Sequence, residues 1–257
     1  MQLLEASGID EKPVVSSGFH KLDSLLPRGG ISKGSLIEWL GDDASGATTM
    51  AAAVAVSMAA TIPGGTIFVV DRTGQFYPPA VMPWLSSTGV QSAECSLHPR
   101  LIVVRPSRDA DHIWSIDQAL RCSGVTVVLA WLGYVHPTVM RRWQLAARSS
   151  HAIGLLVRPK SMLREPTWAA HRLDVAPLMY QSLTFRQFSL SLLDGPWTGA
   201  RQLHDQKQSV EIVFDLLRGS EKIEKDNSSK NRTIVHPVRD SREQIPCQKR
   251  DLACRVS

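Results

Sequence analysis

The sequence predicts an α/β protein: a mostly parallel central sheet flanked by helices, with an antiparallel C-terminal extension. Three observations carry this expectation. Residues 36–50, LIEWLGDDASGATTM, read as a short apolar strand, a glycine-bounded loop and an alanine-rich helix. Further apolar runs at residues 66–71, 100–106, 125–131 and 153–158 alternate with helical patterns, as in parallel sheets covered on both faces. From residue 168 the pattern changes to alternating strands, which suits a hairpin-like edge.

In chain order, Ser16-Ser17-Gly18-Phe19 makes a turn before a short helix whose Leu22, Leu25 and Leu26 share an apolar face. Arg28-Gly29-Gly30-Ile31 and Lys33-Gly34 then turn the chain into the strand at Leu36. The helix beginning near Gly46 is rich in alanine, which favours helix and allows close packing on a sheet. Pro63-Gly64-Gly65 ends it, and the strand at residues 66–71 closes with Asp71. An amphipathic segment at residues 76–88 is interrupted by Pro78, Pro79 and Pro83. Helices follow at residues 109–123, with Ile113, Ile116, Ala119 and Leu120 inward, and at residues 137–149. Residues 168–177 and 183–193 alternate, anchored by Phe185, Phe188, Leu190 and Leu192, with Gly195-Pro196 and Gly199 as turns.

One domain is expected over residues 1–204. Within residues 205–218, Val210, Val213, Phe214 and Leu217 sit at i, i+3, i+4 and i+7, so an amphipathic partner-binding helix is expected there. Residues 219–257 are polar without a sustained period, which predicts a disordered tail.

The chain has 257 residues, 43% hydrophobic and 21% charged, enough for one sizeable α/β domain and an appendage. The net charge of +5 tolerates polyanions, but no Lys/Arg block resembles a nucleic-acid arm. Cys95, Cys122, Cys247 and Cys254 are too scattered for a metal knuckle or a disulfide framework. His20, His98, His112, His136, His151, His171 and His204 show no metal spacing, so no metal site is expected. No signal peptide is evident, and the apolar run at residues 50–62 is too short for a bilayer, so a cytoplasmic protein without a membrane partner is expected. No G-x-S-x-G elbow accompanies an acid and a histidine in a credible context, which leaves a hydrolase without support.

Residues 41–48, GDDASGAT, have the frame of a phosphate-binding loop, G-x-x-x-x-G-K-[ST], with Ala47 in the lysine position. The cofactor-binding candidates are Gly41, Ser45, Gly46, Ala47, Thr48 and Thr49. Backbone amides at the helix start attract anions without any side chain, and Thr48 offers a magnesium hydroxyl. Losing the charge-assisted lysine contact costs roughly 2–4 kcal/mol, and Asp42 and Asp43 repel a triphosphate.

The lead-in and loop together resemble a known core. Ser17-Gly18-Phe19-His20-Lys21-Leu22-Asp23-Ser24-Leu25-Leu26, Gly29-Gly30-Ile31 and Lys33-Gly34-Ser35-Leu36-Ile37-Glu38 resemble the approach to the phosphate loop in RecA-like ATPases. The resemblance covers residues 15–203 and implies a RecA-like P-loop fold. Within that superfamily four phrases, taken in order, are similar to the ImuA family, accessory proteins of bacterial damage-induced (SOS) mutagenesis. They are Pro27-Arg28-Gly29-Gly30-Ile31, Arg141-Arg142-Trp143-Gln144-Leu145-Ala146-Ala147, Gly154-Leu155-Leu156-Val157-Arg158-Pro159 and His171-Arg172-Leu173-Asp174-Val175. This resemblance implies a non-catalytic adaptor in translesion DNA synthesis. Its implied partners are an ImuB-like Y-family protein and an error-prone replicative-type polymerase, with contacts to RecA or DNA left open.

Against the RecA-like pattern, Ala130 is expected where the magnesium-site acid would stand, and Thr73 where a glutamate would orient water. Three losses in one site argue against hydrolysis and for no cofactor. ATP with magnesium remains the cofactor of one alternative: an ATPase acting on single-stranded DNA, with Lys33 or Arg72 replacing the lysine. A second alternative is a cell-division inhibitor of the SulA type, a class with no reason to keep Gly41 and Gly46. In RecA-like proteins the loops after later strands face DNA, so Arg158, Lys160 and Arg164 are the nucleic-acid candidates, weighed against a solvated basic loop.

Overall fold

The computed structural model describes residues 13–87, 90–92, 95–179, 182–193 and 208–222. In chain order the elements are β1 (Val14–Val15), α1 (His20–Leu25), β2 (Ile31–Ser32), β3 (Leu36–Leu40), α2 (Ala47–Ala60), β4 (Thr66–Val70) and α3 (Pro78–Ser87). Then come β5 (Val90–Ser92), β6 (Cys95–Leu97), β7 (Arg100–Val104), α4 (Asp109–Arg121), β8 (Val127–Trp131), α5 (Pro137–Ser150) and β9 (Ile153–Arg158). A 3₁₀ turn (Lys160–Arg164), β10 (His171–Pro177), β11 (Phe185–Leu193), β12 (Ser209–Asp215) and β13 (Ser220–Glu221) complete the described chain.

The main sheet runs β13-β12-β11-β10-β3-β9-β8-β4-β7. From β7 to β10 neighbouring strands are parallel, and from β10 to β13 they are antiparallel. The fold is therefore α/β, with a large mostly parallel sheet flanked by helices. Strand alternation divides the core in two. On one face Ile37, Trp39, Val69, Val127, Leu129 and Val157 pack against α2, whose alanines let it lie close to the sheet. On the other, Leu36, Val70, Val128, Ala130 and Leu156 meet Ile116, Leu120, Met140 and Trp143 of α4 and α5.

One residue breaks the apolar pattern of β3. Glu38 is fully buried. Its Oε1 lies 2.6 Å from Arg158 Nη1 of β9, and its Oε2 lies 2.8 Å from Arg172 Nε of β10. Thr167 donates its hydroxyl to Oε1 at 2.8 Å. The remaining guanidinium donors are also used: Arg158 donates to the Gly133 carbonyl, and Arg172 to the carbonyls of Leu163 and Met162. The cluster ties three adjacent strands to the connection between β9 and β10.

Residues 209–215 form a strand, not the expected helix. β12 pairs antiparallel with β11, Ile212 opposite Phe188 and Val210 opposite Leu190. The alternation Val210, Ile212, Phe214, Leu216 faces the core, and Phe214 packs against Phe19, Trp84 and Phe188. The helical reading took in Val213 and Leu217 and skipped Ile212; both periods accommodate Val210 and Phe214. The β-branched Val210, Ile212 and Val213 and a pairing edge on β11 decide for strand. Leu217 is 67% exposed, and no helical face groups it with the others. The compact unit thus extends past residue 204 to Ile223, and Ser220–Glu221, at the start of the expected tail, pair with β12. Residues 223–257 of that tail and the turns at Gly195-Pro196 and Gly199 lie outside the described residues.

Asp117 links α4 to α5, receiving Arg121 Nε at 2.7 Å and Arg142 Nε at 2.8 Å. Burial pushes its carboxyl up, but the Arg121 hydrogen bond and the Arg142 charge outweigh that and hold it below the ordinary aspartate range. A depressed folded value contributes stability that is present above the unfolded pKa and lost as pH falls through the folded one. Asp117→Asn should therefore flatten the acid limb of a stability-versus-pH curve. For the buried cluster, Glu38→Gln should cost about 3–5 kcal/mol in urea unfolding, because two arginines lose their carboxylate. Replacing Glu38, Arg158 and Arg172 together by Leu, Met and Met should recover most of that loss.

Candidate functional site

The phosphate-loop frame folds into a tight connection between β3 and α2. Gly46, the residue before α2, has φ 92°, and a Cβ there would run into the Phe188 ring of β11. A Cβ at Gly41 would overlap the Ser45 side chain. Ser45 closes the turn from both sides: its N–H donates to the Asp42 carbonyl at 3.0 Å, and its Oγ accepts from the Ala47 N–H at 3.2 Å. Packing at both positions, and the left-handed backbone at Gly46, call for glycine.

A cavity of about 710 Å³ opens above the loop at the carboxyl ends of β3, β8 and β9, lined by residues 41–49 together with Thr73, Gln75, Trp131 and Gly133. Ligands of open α/β sheets bind at this end of the strands. The frame residues Gly41, Ser45, Gly46, Ala47, Thr48 and Thr49 all line it.

The decisive contact crosses the cavity floor. Trp131, the last residue of β8, donates its indole N–H to Thr48 Oγ at 3.0 Å and lies beside the Phe76 ring. Sequence reasoning placed Ala130 opposite the loop. Alternation puts Ala130 in the α4–α5 core instead, and Trp131 faces α2 and the loop. Val127 and Leu129, four and two residues earlier on the same face, carried that signal. The hydroxyl that would ligate magnesium accepts an indole proton, and an apolar ring stands where a carboxylate would have to reach.

The remaining catalytic positions are equally bare. Thr73 lines the cavity without a carboxylate. Asp71 is fully buried and caps its own turn, accepting the N–H groups of Gln75 and Phe76 at 2.9 and 3.0 Å, with Arg105 Nε at 3.6 Å. Neither proposed lysine substitute reaches the cavity. Lys33 lines a cleft at the opposite end of the sheet, and Arg72 pairs with Asp109 at 2.9 Å. Among the described lining residues Arg158 is the one cation, and its guanidinium is held by Glu38. Asp42 and Asp43 add two carboxylates at the mouth.

No protein-family model matches the chain, and no curated protein matches it. What the site does is read from its own geometry.

Of the nucleic-acid candidates, Arg158 is 2% exposed and committed to Glu38, so it is not a surface contact. Its place at the end of an apolar strand, one residue from a loop, disguised a buried ion pair. Lys160 reaches Asp174 at 3.1 Å, and its N–H donates to Asp42 at 3.3 Å, so it sits at the edge of the loop site. Arg164 is exposed on the 3₁₀ turn. Of the partner candidates, Val210 and Phe214 are directed to the core, Val213 to the other sheet face, and Leu217 to solvent. Among the described residues no group of three or more His, Cys, Asp or Glu is placed to hold a metal ion, and no helix is long and apolar enough to cross a membrane.

The amides at the start of α2 attract an anion weakly, opposed by Asp42 and Asp43. Restoring the lysine by Ala47→Lys should therefore leave magnesium-dependent ATP turnover at the buffer background in a phosphate-release assay. Gly46→Ala should lower stability by roughly 1–3 kcal/mol through left-handed strain and overlap with Phe188. Combining it with Phe188→Ala should remove the overlap part, giving a non-additive cycle in thermal denaturation.

Proposed function

We propose that this chain is a RecA-like protein whose phosphate loop is retained for shape. In this reading it acts in the cytoplasm as a non-catalytic adaptor in damage-induced translesion DNA synthesis. It holds an ImuB-like Y-family protein and an error-prone replicative-type polymerase, with RecA or DNA as further contacts. The observation that carries the non-catalytic part is the Trp131–Thr48 hydrogen bond, in a cavity that also lacks the lysine at Ala47 and the carboxylate at Thr73. The ATPase alternative would need a free cation and carboxylates facing the loop from β4 and β8; the one cation of the described lining is held by Glu38, and its carboxylates, Asp42 and Asp43, belong to the loop itself.

The RecA-like part is supported by the central place of the loop strand β3, with parallel strands on both sides and an antiparallel extension beyond β10. The adaptor part is supported by the surroundings of the cavity. The loops at the same end of the sheet expose Tyr77, Tyr134, Met179 and Leu183 to solvent. Tyrosine and methionine are among the residue types enriched in protein interfaces. Lys160 and Arg164, after β9, give this end its basic component.

Affinity capture of the full chain from DNA-damaged cells should recover a Y-family-like protein and a polymerase subunit. Met179→Asp with Leu183→Asp should reduce that recovery without changing the thermal midpoint. Recovery of cell-division proteins without polymerase subunits would contradict the proposal.

A further inference from the structure

A second cleft lies at the opposite end of the sheet, where the strands begin. It has a volume of about 430 Å³, and Lys33, Arg100 and His151 line it with no Asp or Glu among the described lining residues. Cations at this end have an ordinary structural use, because α2, α4 and α5 all finish here and helix C-termini carry negative partial charge. That use is largely filled by other groups. The Met58 carbonyl accepts the Thr61 N–H and hydroxyl, and the Ala59 carbonyl accepts the Ile62 N–H. Ser150 donates its hydroxyl to the Leu120 and Ala147 carbonyls, and the Cys122 carbonyl accepts the Val125 N–H.

The side chains of Lys33 and Arg100 make no ion pair or hydrogen bond among the described residues. Two charges without an acidic partner among the described residues, on one concavity, raise the local concentration of anions. His151 adds a second, independent feature. It follows α5 in the left-handed region, φ 65°, a conformation that disfavours a non-glycine residue by roughly 1–2 kcal/mol. Glycine would take that position without strain. The histidine there sets an imidazole at the cleft wall, adjoining the open turn at Ser123 and Gly124.

We propose that this cleft binds a phosphate group, either a monoester or the diester backbone of a nucleic acid. Lys33 and Arg100 make charge-assisted contacts to its oxygens, and His151 supplies a ring donor. The site is separate from the phosphate loop and does not depend on the function proposed above.

The test uses the full chain and two probes at low salt: inorganic phosphate, followed by phosphorus NMR, and a 20-nucleotide oligothymidylate, followed by fluorescence anisotropy. Lys33 is half-buried and Arg100 exposed, so Lys33→Gln and Arg100→Gln should keep the wild-type thermal midpoint. At least one probe is expected to bind, and either substitution to weaken it about tenfold or more. Phosphate binding alone identifies a monoester site. Oligonucleotide binding, with a log–log salt slope reduced by roughly 0.7 per lost contact, identifies a diester track. The proposal is overturned if neither probe binds, or if binding is unchanged by both substitutions. Binding that responds to Asp43→Asn instead belongs to the phosphate loop and overturns it equally.

Discussion

At the centre of the sheet a single carboxylate, Glu38, lies between two guanidinium groups with no water-facing surface of its own. A charge in that position carries a desolvation penalty of several kcal/mol, so the chain is constrained to deliver both arginines to it. Arg158 comes from β9 and Arg172 from β10, the two strands that flank β3. A one-residue slip in register would turn one of the three side chains to the opposite face, towards α2. The connection from β9 to β10 is fixed by the same cluster, through Thr167 and the carbonyls of Met162 and Leu163. The parallel core and its antiparallel extension meet at this point.

The cluster also bears on the site above it. Arg158 is the one cation among the described residues lining the loop cavity, and Glu38 holds its guanidinium away from any ligand there. With Ala47 in the lysine position, that residue offers no charge-assisted contact to a phosphate. The glycines of the loop meet the packing of their neighbours: Phe188 leaves no room for a side chain at Gly46, and Ser45 leaves none at Gly41. Across the loop, Trp131 donates its indole N–H to the hydroxyl of Thr48.

Much of the architecture was legible because strands buried on both faces are apolar along most of their length, as are the runs that became β4, β8 and β9. The loop was legible for a similar reason, since few sequences tolerate its glycine spacing outside a strand–turn–helix. Three features were hidden, each with a physical cause. Residues 209–215 satisfy helical and strand periods at once, and the open edge of β11, with the β-branched residues at 210, 212 and 213, decides between them. Arg158 looked like a surface residue because its partner lies 120 residues away, as does the strand parity joining them. Ala130 was taken for the residue opposite the loop because a strand end predicted from sequence is uncertain by a residue or two, and one residue exchanges the faces. A glutamate inside an otherwise apolar strand was the available sign of the buried cluster.

The central claim of the proposed function is that a phosphate-loop frame serves here for its geometry and not for nucleotide chemistry. It is tested most directly by titrating the full chain with ATP and magnesium, following tryptophan fluorescence, with phosphate release measured in parallel. Trp131 sits against Thr48, so occupation of the loop would disturb its emission. The account predicts no saturable change below millimolar ATP and no release above the buffer background. Saturable binding at micromolar ATP with magnesium-dependent phosphate release would contradict it.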